Sequence, residues 1–203
     1  MSVERAQHVE DIDRPGPDPQ PAPDAAPGTR VDRQLDAWLL RAAAFFAAAV
    51  VLHNGDHVRR GADSVSTDVF WLGTAGIVLE VVLVLVICQR HRIAPLAAAV
   101  AGTNLAAGYV LVHFLPERSW LSDSFTGGAD VSPLSWIAAL VEVAAAVTLA
   151  VTGLVVLSRR GGLASAARPY PGQRTLRQAA LHPLALGFAL TQVVTVAVSF
   201  AQV

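Results

Sequence analysis

The chain has 203 residues, of which 53% are hydrophobic and 15% are charged, and its formal net charge at pH 7 is −1. This balance offers no basic surface for nucleic acid, so we expect no nucleic-acid partner. Its mean hydropathy of +0.47 exceeds the ordinary soluble range once the polar N-terminal segment is set aside, which indicates a membrane protein. A single cysteine, Cys88, excludes an internal disulfide, and no Cys–His metal motif is present.

The segment of residues 1–34 is rich in proline and poor in apolar side chains. Because such a segment cannot bury enough surface to offset the entropy lost on ordering, we expect a disordered cytoplasmic tail. It lacks the basic stretch and apolar core of a secretory signal peptide. The rest of the chain, residues 35–203, is expected to form one transmembrane domain.

Five apolar runs follow the tail, and each approaches the roughly 20 residues that a helix needs to cross a hydrocarbon core about 30 Å thick. Since lipid offers no hydrogen-bond partner to open backbone, we expect all five to be helices. The sequence therefore predicts an all-α, polytopic membrane bundle. The runs cover residues 38–53, 70–88, 93–114, 134–157 and 180–203.

The arginines predict how this bundle is oriented. With the N-terminus in the cytoplasm, nine arginines flank the inner ends of the spans and three lie in the outer loops, which follows the positive-inside rule. Three tryptophans then fall at the outer interface: Trp71, Trp120 and Trp136. We expect a multi-pass protein of a bacterial inner membrane, with the lipid bilayer as its first partner. The arginine-rich loop 158–177 serves as a topology signal, or alternatively contacts anionic lipid.

Polar residues close the first and third spans, at what we expect to be the same outer surface. His53 and His57 are four residues apart, and on a helix such residues are neighbours on one face. Asp56 lies on an adjacent face, and His113 closes the third span. Neutral imidazoles with a carboxylate suit zinc or copper. These four residues are therefore a candidate metal site at the outer membrane face.

Several features bear on this metal site. Further oxygen ligands are available from Asp63, Glu117 and Asp123. A haem held by two histidines of the first and third spans is a less favoured alternative. Asn54-Gly55 is a common helix-ending pair, which would leave His57 in a loop. Pro116 disfavours helix just before it, which would detach Glu117 from the turn of His113. The competing interpretation is that these side chains cap helix ends and meet headgroups and water.

Four further polar residues lie within the apolar runs: Glu80, Asn104, Glu142 and Gln192. The two glutamates are expected deeper than the histidines, facing the bundle interior, where they are protonated or paired. Interhelical hydrogen bonding is the structural interpretation, and proton or ion translocation is the functional one. Asn104 lies nine residues before His113, which places it on the opposite face, so we expect no shared site. The stripe beneath His113 (Gly102, Ala106 and Tyr109) predicts close helix packing.

Three short patterns taken together resemble small multi-span membrane proteins of actinobacteria. They are His53-x-x-Asp56-His57-x-Arg59, His113-x-x-Pro116 and Trp120-x-Ser122-Asp123-Ser124. The resemblance covers residues 38–157. It implies a helical membrane bundle, and it implies no activity because none is assigned to such proteins.

The sequence leaves three functions open. The first is a binding or accessory protein whose outer rim holds a metal ion or contacts another membrane protein. The second is a membrane enzyme or a proton- or ion-conducting protein that uses Glu80 and Glu142. The third is a structural subunit of a membrane complex. Since no catalytic motif is present, we expect binding more than enzymatic activity.

Overall fold

The structure, a computed structural model, describes residues 29–61, 64–116, 122–126 and 131–202. These described residues form helices and turns without a strand, which confirms the predicted all-α class. Five of the helices are long and apolar enough to cross a membrane, so the protein is a multi-pass membrane protein. The helices are α1 (Arg30–Arg60), α2 (Thr67–Cys88), α3 (Ala94–Tyr109, continued by a π-helical turn at Val110–Phe114), α4 (Pro133–Arg159), α5 (Leu163–Ala166), α6 (Leu176–Ala180) and α7 (Pro183–Ala201).

Helix α1 begins inside the segment predicted as tail. Thr29 and Asp32 form a capping box, in which each side chain bonds to the backbone N–H of the other. This cap makes residues 30–34 helical, so the predicted boundary at residue 34 is wrong. The preceding part of the predicted tail, residues 1–28, lies outside the described residues.

At its other end, α1 runs past Asn54-Gly55 without a break. It ends at Gly61, whose φ of +88° belongs to the left-handed region that glycine adopts without strain. The expectation that Asn54-Gly55 places His57 in a loop is therefore wrong. His57 lies on the last turns of the helix, one turn beyond His53.

Helices α3 and α4 pack so closely that glycine is required at the contact. A Cβ atom added to Gly102 would lie 2.8 Å from the backbone of Ala146, and one added to Gly153 would lie 2.6 Å from the backbone of Ala99. The predicted small-residue packing beneath His113 is thus confirmed. Helix α1 also packs along α4, and its Phe46 is fully buried in the core.

Helices α2 and α7 cover this core incompletely. In α2, no residue between Val69 and Glu80 is buried, and in α7 none beyond Gln192 is buried. Phe70 of α2 and Phe200 of α7 meet edge to face, with 5.3 Å between their ring centroids. The N-terminal half of α2 and the C-terminal half of α7 therefore pack loosely against the core.

The ends of the spans form two polar edges. The histidine end holds the last turns of α1, α3 and α7 and the first turns of α2 and α4. Trp71 and Trp136 both lie there, against neighbouring phenylalanine rings. The opposite end holds a buried ion cluster around Asp36, which contacts Arg160 at 2.6 Å and the Tyr170 hydroxyl at 2.9 Å.

Candidate functional site

The bundle brings His53, His57 and His113 together at the histidine end. Each ring places a nitrogen within 4.8 Å of a nitrogen of the other two. The ring centroids of His53 and His113 are 4.8 Å apart, which is close enough for the two side chains to contact one ion. This juxtaposition joins residues sixty positions apart in sequence, as the sequence predicted. A haem between His53 and His113 would have to force these rings apart.

A π-helical turn explains how a loop reaches these histidines. This turn ends α3 and leaves the carbonyls of Val112 and His113 free of helical partners. They accept hydrogen bonds from the backbone N–H groups of Asp123 and Phe125, at 3.1 and 2.9 Å. The loop is thereby pinned, and Asp123 Oδ2 lies 3.5 Å from His113 Nδ1. Of the three predicted oxygen donors, Asp123 reaches the site, whereas Asp63 and Glu117 lie outside the described residues.

Arg60 determines how the protons are arranged on two of the histidines. Its guanidinium Nη2 lies 2.8 Å from His57 Nδ1, and because a guanidinium only donates, this nitrogen accepts. A neutral His57 then carries its proton on Nε2, which lies 2.9 Å from Nε2 of His53. The Nε2 atom of His53 accepts this hydrogen bond, so His53 carries its own proton on Nδ1. This assignment follows from the hydrogen-bond network.

Asp56 plays a different part from the predicted one. Its carboxylate contacts Arg59 at 2.7 Å and Arg60 at 3.3 Å, and it is not among the groups that converge on the histidines. The prediction that Asp56 is a metal ligand is not supported by this geometry. Asp56 lies three positions after His53 on α1, and its side chain contacts Ser135 of α4. Asp56 instead positions Arg60.

The loop carboxylate Asp123 is held in its ionised form. Burial alone would raise its pKa, but hydrogen bonds from His113 and Arg60, together with the charge of Arg60, hold the pKa of Asp123 well below its usual range. The Arg60 Nη2 atom lies 2.8 Å from Asp123 Oδ2. His113 therefore faces a permanent negative charge through its Nδ1 atom.

Glu142 joins this site, contrary to the expectation that depth separates it from the histidines. Its Oε2 atom lies 3.5 Å from His53 Nδ1, although the two are not aligned as a hydrogen bond. The reason is the length of α1. Because α1 continues seven residues beyond His53, this histidine lies about 10 Å inside the helix end.

Glu80 and Tyr109 join the three histidines and Glu142 in one cluster, which we call the polar group. The Tyr109 hydroxyl donates to Glu80 Oε1 at 2.6 Å and also lies within reach of Glu142. This interhelical hydrogen bond agrees with the structural interpretation of Glu80. Both glutamates keep one buried carboxyl oxygen without a hydrogen-bond partner in the described structure. Tyr109, which the sequence suggested only as part of a packing stripe, is a polar member of the site.

The two remaining polar residues of the spans lie outside this group. Gln192 is buried, and its Oε1 accepts from the Asn54 side chain at 2.9 Å, which ties α7 to α1. Asn104 is exposed and donates to the Val100 carbonyl of its own helix. It contacts none of the histidines, in agreement with its predicted face, although it lines the same cavity as His113.

A cavity of about 520 Å³ adjoins the polar group, between α2 and the other spans. Its surface is predominantly apolar, and its polar residues include all three histidines, both glutamates and Tyr109. The cavity exists because the positions of α2 that face the bundle at this level are Gly76 and Gly73, one and two turns before Glu80. A Cβ atom at either glycine would meet nothing within 4 Å.

Sequence reasoning missed Arg60 and the cavity. Arg60 was counted only as an outer-loop charge, and the signal for its role is its i,i+3 and i,i+4 spacing from His57 and Asp56. The cavity had a sequence signal in Gly73-x-x-Gly76, but this pattern is typical of close packing too. Comparisons with protein-family models, with curated proteins and with solved structures found no match to this chain.

Proposed function

We propose that this protein binds a divalent transition metal, zinc or copper, in the bundle at its histidine end. The observation that carries this proposal is the convergence of three buried or half-buried imidazoles, His53, His57 and His113, beside a cavity. Three nitrogen ligands with an open fourth position are typical of metal sites that bind a further ligand. The role is binding or accessory, and other membrane proteins are the expected recipients or donors of the ion.

The surroundings of His53 and His113 support this proposal. A metal-bound histidine generally turns its second ring nitrogen to a carboxylate or a carbonyl. His113 Nδ1 lies 3.2 Å from the carbonyl of Asp123, and His53 Nδ1 faces Glu142. Metal–nitrogen bonds of about 2.0–2.1 Å require ligand atoms within about 4 Å of each other. The widest pair here, at up to 4.8 Å, needs a small closure.

Charge supports a divalent ion as well. Two positive charges inside a membrane bundle are costly unless nearby groups compensate them. Glu142 lies beside His53, Glu80 is joined to the same group through the Tyr109 hydroxyl, and Asp123 is already compensated by Arg60. A bound dication with both glutamates ionised is therefore electrically neutral.

We expect the alanine variants of His53, His57 and His113 each to weaken Zn²⁺ or Cu²⁺ binding by at least about 100-fold. Substituting a residue that only hydrogen-bonds to a metal ligand typically weakens binding by about 10- to 100-fold. Glu142→Gln should fall in that smaller range. The measurements are metal content of the purified protein and calorimetric titration in detergent. Binding should weaken as the pH is lowered, because imidazole must lose its proton before it coordinates.

The matched controls are His91→Ala, which lies at the opposite end, and Arg60→Gln. His91→Ala should bind as the unsubstituted protein does. Arg60→Gln should bind the ion more tightly, since the Arg60 donor opposes the His57 tautomer that coordinates through Nε2 and competes for the Asp123 carboxylate. Unchanged binding in all three histidine variants would rule out this site.

Proton transfer is a second candidate function, favoured by one specific observation. Arg60, His57 and His53 form a continuous chain of hydrogen bonds, and Glu142 lies 3.5 Å beyond it. The chain stops at Glu142 and Glu80, because the buried residues of α4 from Ala145 to Leu157 are all apolar or glycine. Transfer of protons between the site and the surface is thus better supported than conduction across the membrane. Reversible proton uptake by the metal-free protein that His53→Ala and Glu142→Gln reduce, measured with a pH indicator in detergent, would favour this alternative.

We propose the inner membrane of a bacterium as its location, with the N-terminus cytoplasmic and the histidine end outside. The nine-to-three arginine distribution supports this orientation. Cys88 is fully buried and cannot report it. We expect Thr126→Cys to react with a membrane-impermeant thiol reagent in intact cells, and Ala164→Cys to react only in inverted vesicles. Both positions are exposed. The reversed pattern would invert the orientation, and the unsubstituted protein is the control.

A further inference from the structure

We propose that the cavity beside the histidines binds a lipid-soluble molecule with a hydroxyl-bearing head, of the isoprenoid-alcohol or quinol class. The head lies against Glu80 and Glu142, and the apolar body lies along the outer half of α2. This inference does not depend on a bound metal ion, because the head is placed against the two glutamates and not against the histidines.

The size and lining of the cavity fit such a ligand. Small-molecule sites are typically 300–1,000 Å³ with an apolar lining and a few convergent polar groups. This cavity has about 520 Å³ and a predominantly apolar surface, with its polar groups gathered at one place. A long isoprenoid chain does not have to fit inside, since its end can remain among the lipid chains.

The cavity is accessible from lipid. Leu72 and Leu79 of α2 both line it, and both are about half exposed, at 48% and 49%. Side chains that touch the cavity and also the outer surface of a membrane bundle mark an opening beside α2. Leu105 of α3 and Val196 of α7 line the cavity as well. A molecule dissolved in the bilayer therefore reaches the polar group without crossing water.

The polar group requires a partner that both donates and accepts hydrogen bonds. Glu80 Oε2 and Glu142 Oε2 are buried oxygens without a hydrogen-bond partner in the described structure, and their residues are 4% and 1% exposed. Leaving such atoms unpaired is unfavourable, because they lose their bonds to water and gain none in return. A hydroxyl suits a glutamate in either protonation state, because it donates to a carboxylate and accepts from a carboxylic acid. A carbonyl head would satisfy only the protonated acid.

The test is photocrosslinking of the full chain in phosphatidylcholine nanodiscs with a diazirine-bearing isoprenoid alcohol. We expect saturable labelling of α2 or α3 at the cavity, reduced at least tenfold by Gly73→Leu or Gly76→Leu. Either leucine fills the cavity, and neither glycine has a neighbour within 4 Å of the added Cβ. Gly187→Leu is the matched control, since Gly187 is exposed on α7 with equally open surroundings.

Three competitors separate the outcomes. Competition by unlabelled isoprenoid alcohol or by a naphthoquinol supports the proposal, and the stronger of the two identifies the class.

Equal labelling by the methyl ether of the probe, which cannot donate, would overturn it and leave only acyl chains in the cavity. Better competition by an ammonium-headed analogue would overturn it in favour of a cation. Labelling that Gly73→Leu and Gly76→Leu do not change would also overturn it. Metal binding by Gly73→Leu is measured in parallel. Retained metal binding with lost labelling shows that the metal site is independent of the lipid site.

Discussion

Asp36→Ala should lower the free energy of unfolding by about 3–5 kcal/mol, the range measured when one partner of a buried ion pair is removed. Asp36 accepts from Arg160 at 2.6 Å and from the Tyr170 hydroxyl at 2.9 Å, and Arg90 lies 3.6 Å away. The Arg160 side chain is only 8% exposed, so the substitution leaves a nearly buried charge uncompensated. Unfolding by a denaturing detergent in mixed micelles measures the loss.

Tyr170→Phe is the matched control, because it removes one neutral donor from the same carboxylate. Burial and the neighbouring Asp36 raise the pKa of the Tyr170 hydroxyl, which therefore remains a donor at all working pH values. Its loss should cost about 1 kcal/mol. Since this cluster lies at the end opposite the histidines, Asp36→Asn should leave metal affinity unchanged. Equal stability of Asp36→Ala and the unsubstituted protein would show that the ion cluster does not stabilise the fold.

Gly153→Leu should be the most disruptive substitution in the core. Its Cβ atom would lie 2.6 Å from the Ala99 nitrogen and 2.7 Å from the Pro95 carbonyl oxygen, both backbone atoms that no side-chain rotation relieves. Overpacking costs about 1–3 kcal/mol where side chains yield. Here α3 and α4 must separate, so we expect the upper end of that range or a failure to fold, measured by the same detergent titration.

This substitution also tests how the site is assembled. Tyr109 and His113 belong to α3, and Glu142 belongs to α4, so their register depends on the glycine contacts between these helices. Folded Gly153→Leu protein should therefore bind metal more weakly. Gly55→Leu, on an exposed face of α1 with open space around it, should retain both stability and binding. A fully stable Gly153→Leu variant would contradict the close α3–α4 packing.

The two polar edges illustrate how far sequence reasoning reaches. Hydropathy placed His57 and His113 at the ends of two spans with one span between them, so these spans run in the same direction and their ends lie at one membrane face. That placement depends only on counting spans. It contains no information about which face of α3 turns towards α1, because α3 is apolar nearly all round and lipid accepts any rotation of it.

The error about Glu142 has a related cause. Its depth was judged from the tryptophan six residues before it, and that of His53 from the last apolar residue of its span. Hydropathy cannot tell a helix that stops at the membrane surface from one that continues beyond it. The capping glycine of α1 at residue 61, not the polar run that begins at His53, fixes how deep His53 lies.

The sequence by itself determined the all-α class, the five spans and the shared edge of the histidines, because hydrocarbon thickness and unsatisfied backbone groups constrain every membrane chain alike. Only the tertiary structure decided that His53 meets His57, His113 and Glu142, and that Asp56 is engaged by arginine. Those contacts depend on helix rotation and register, which the glycines of α3 and α4 and the π-helical turn set through van der Waals packing. The small-residue stripe of α3 predicts close packing, but it does not specify which helix is contacted.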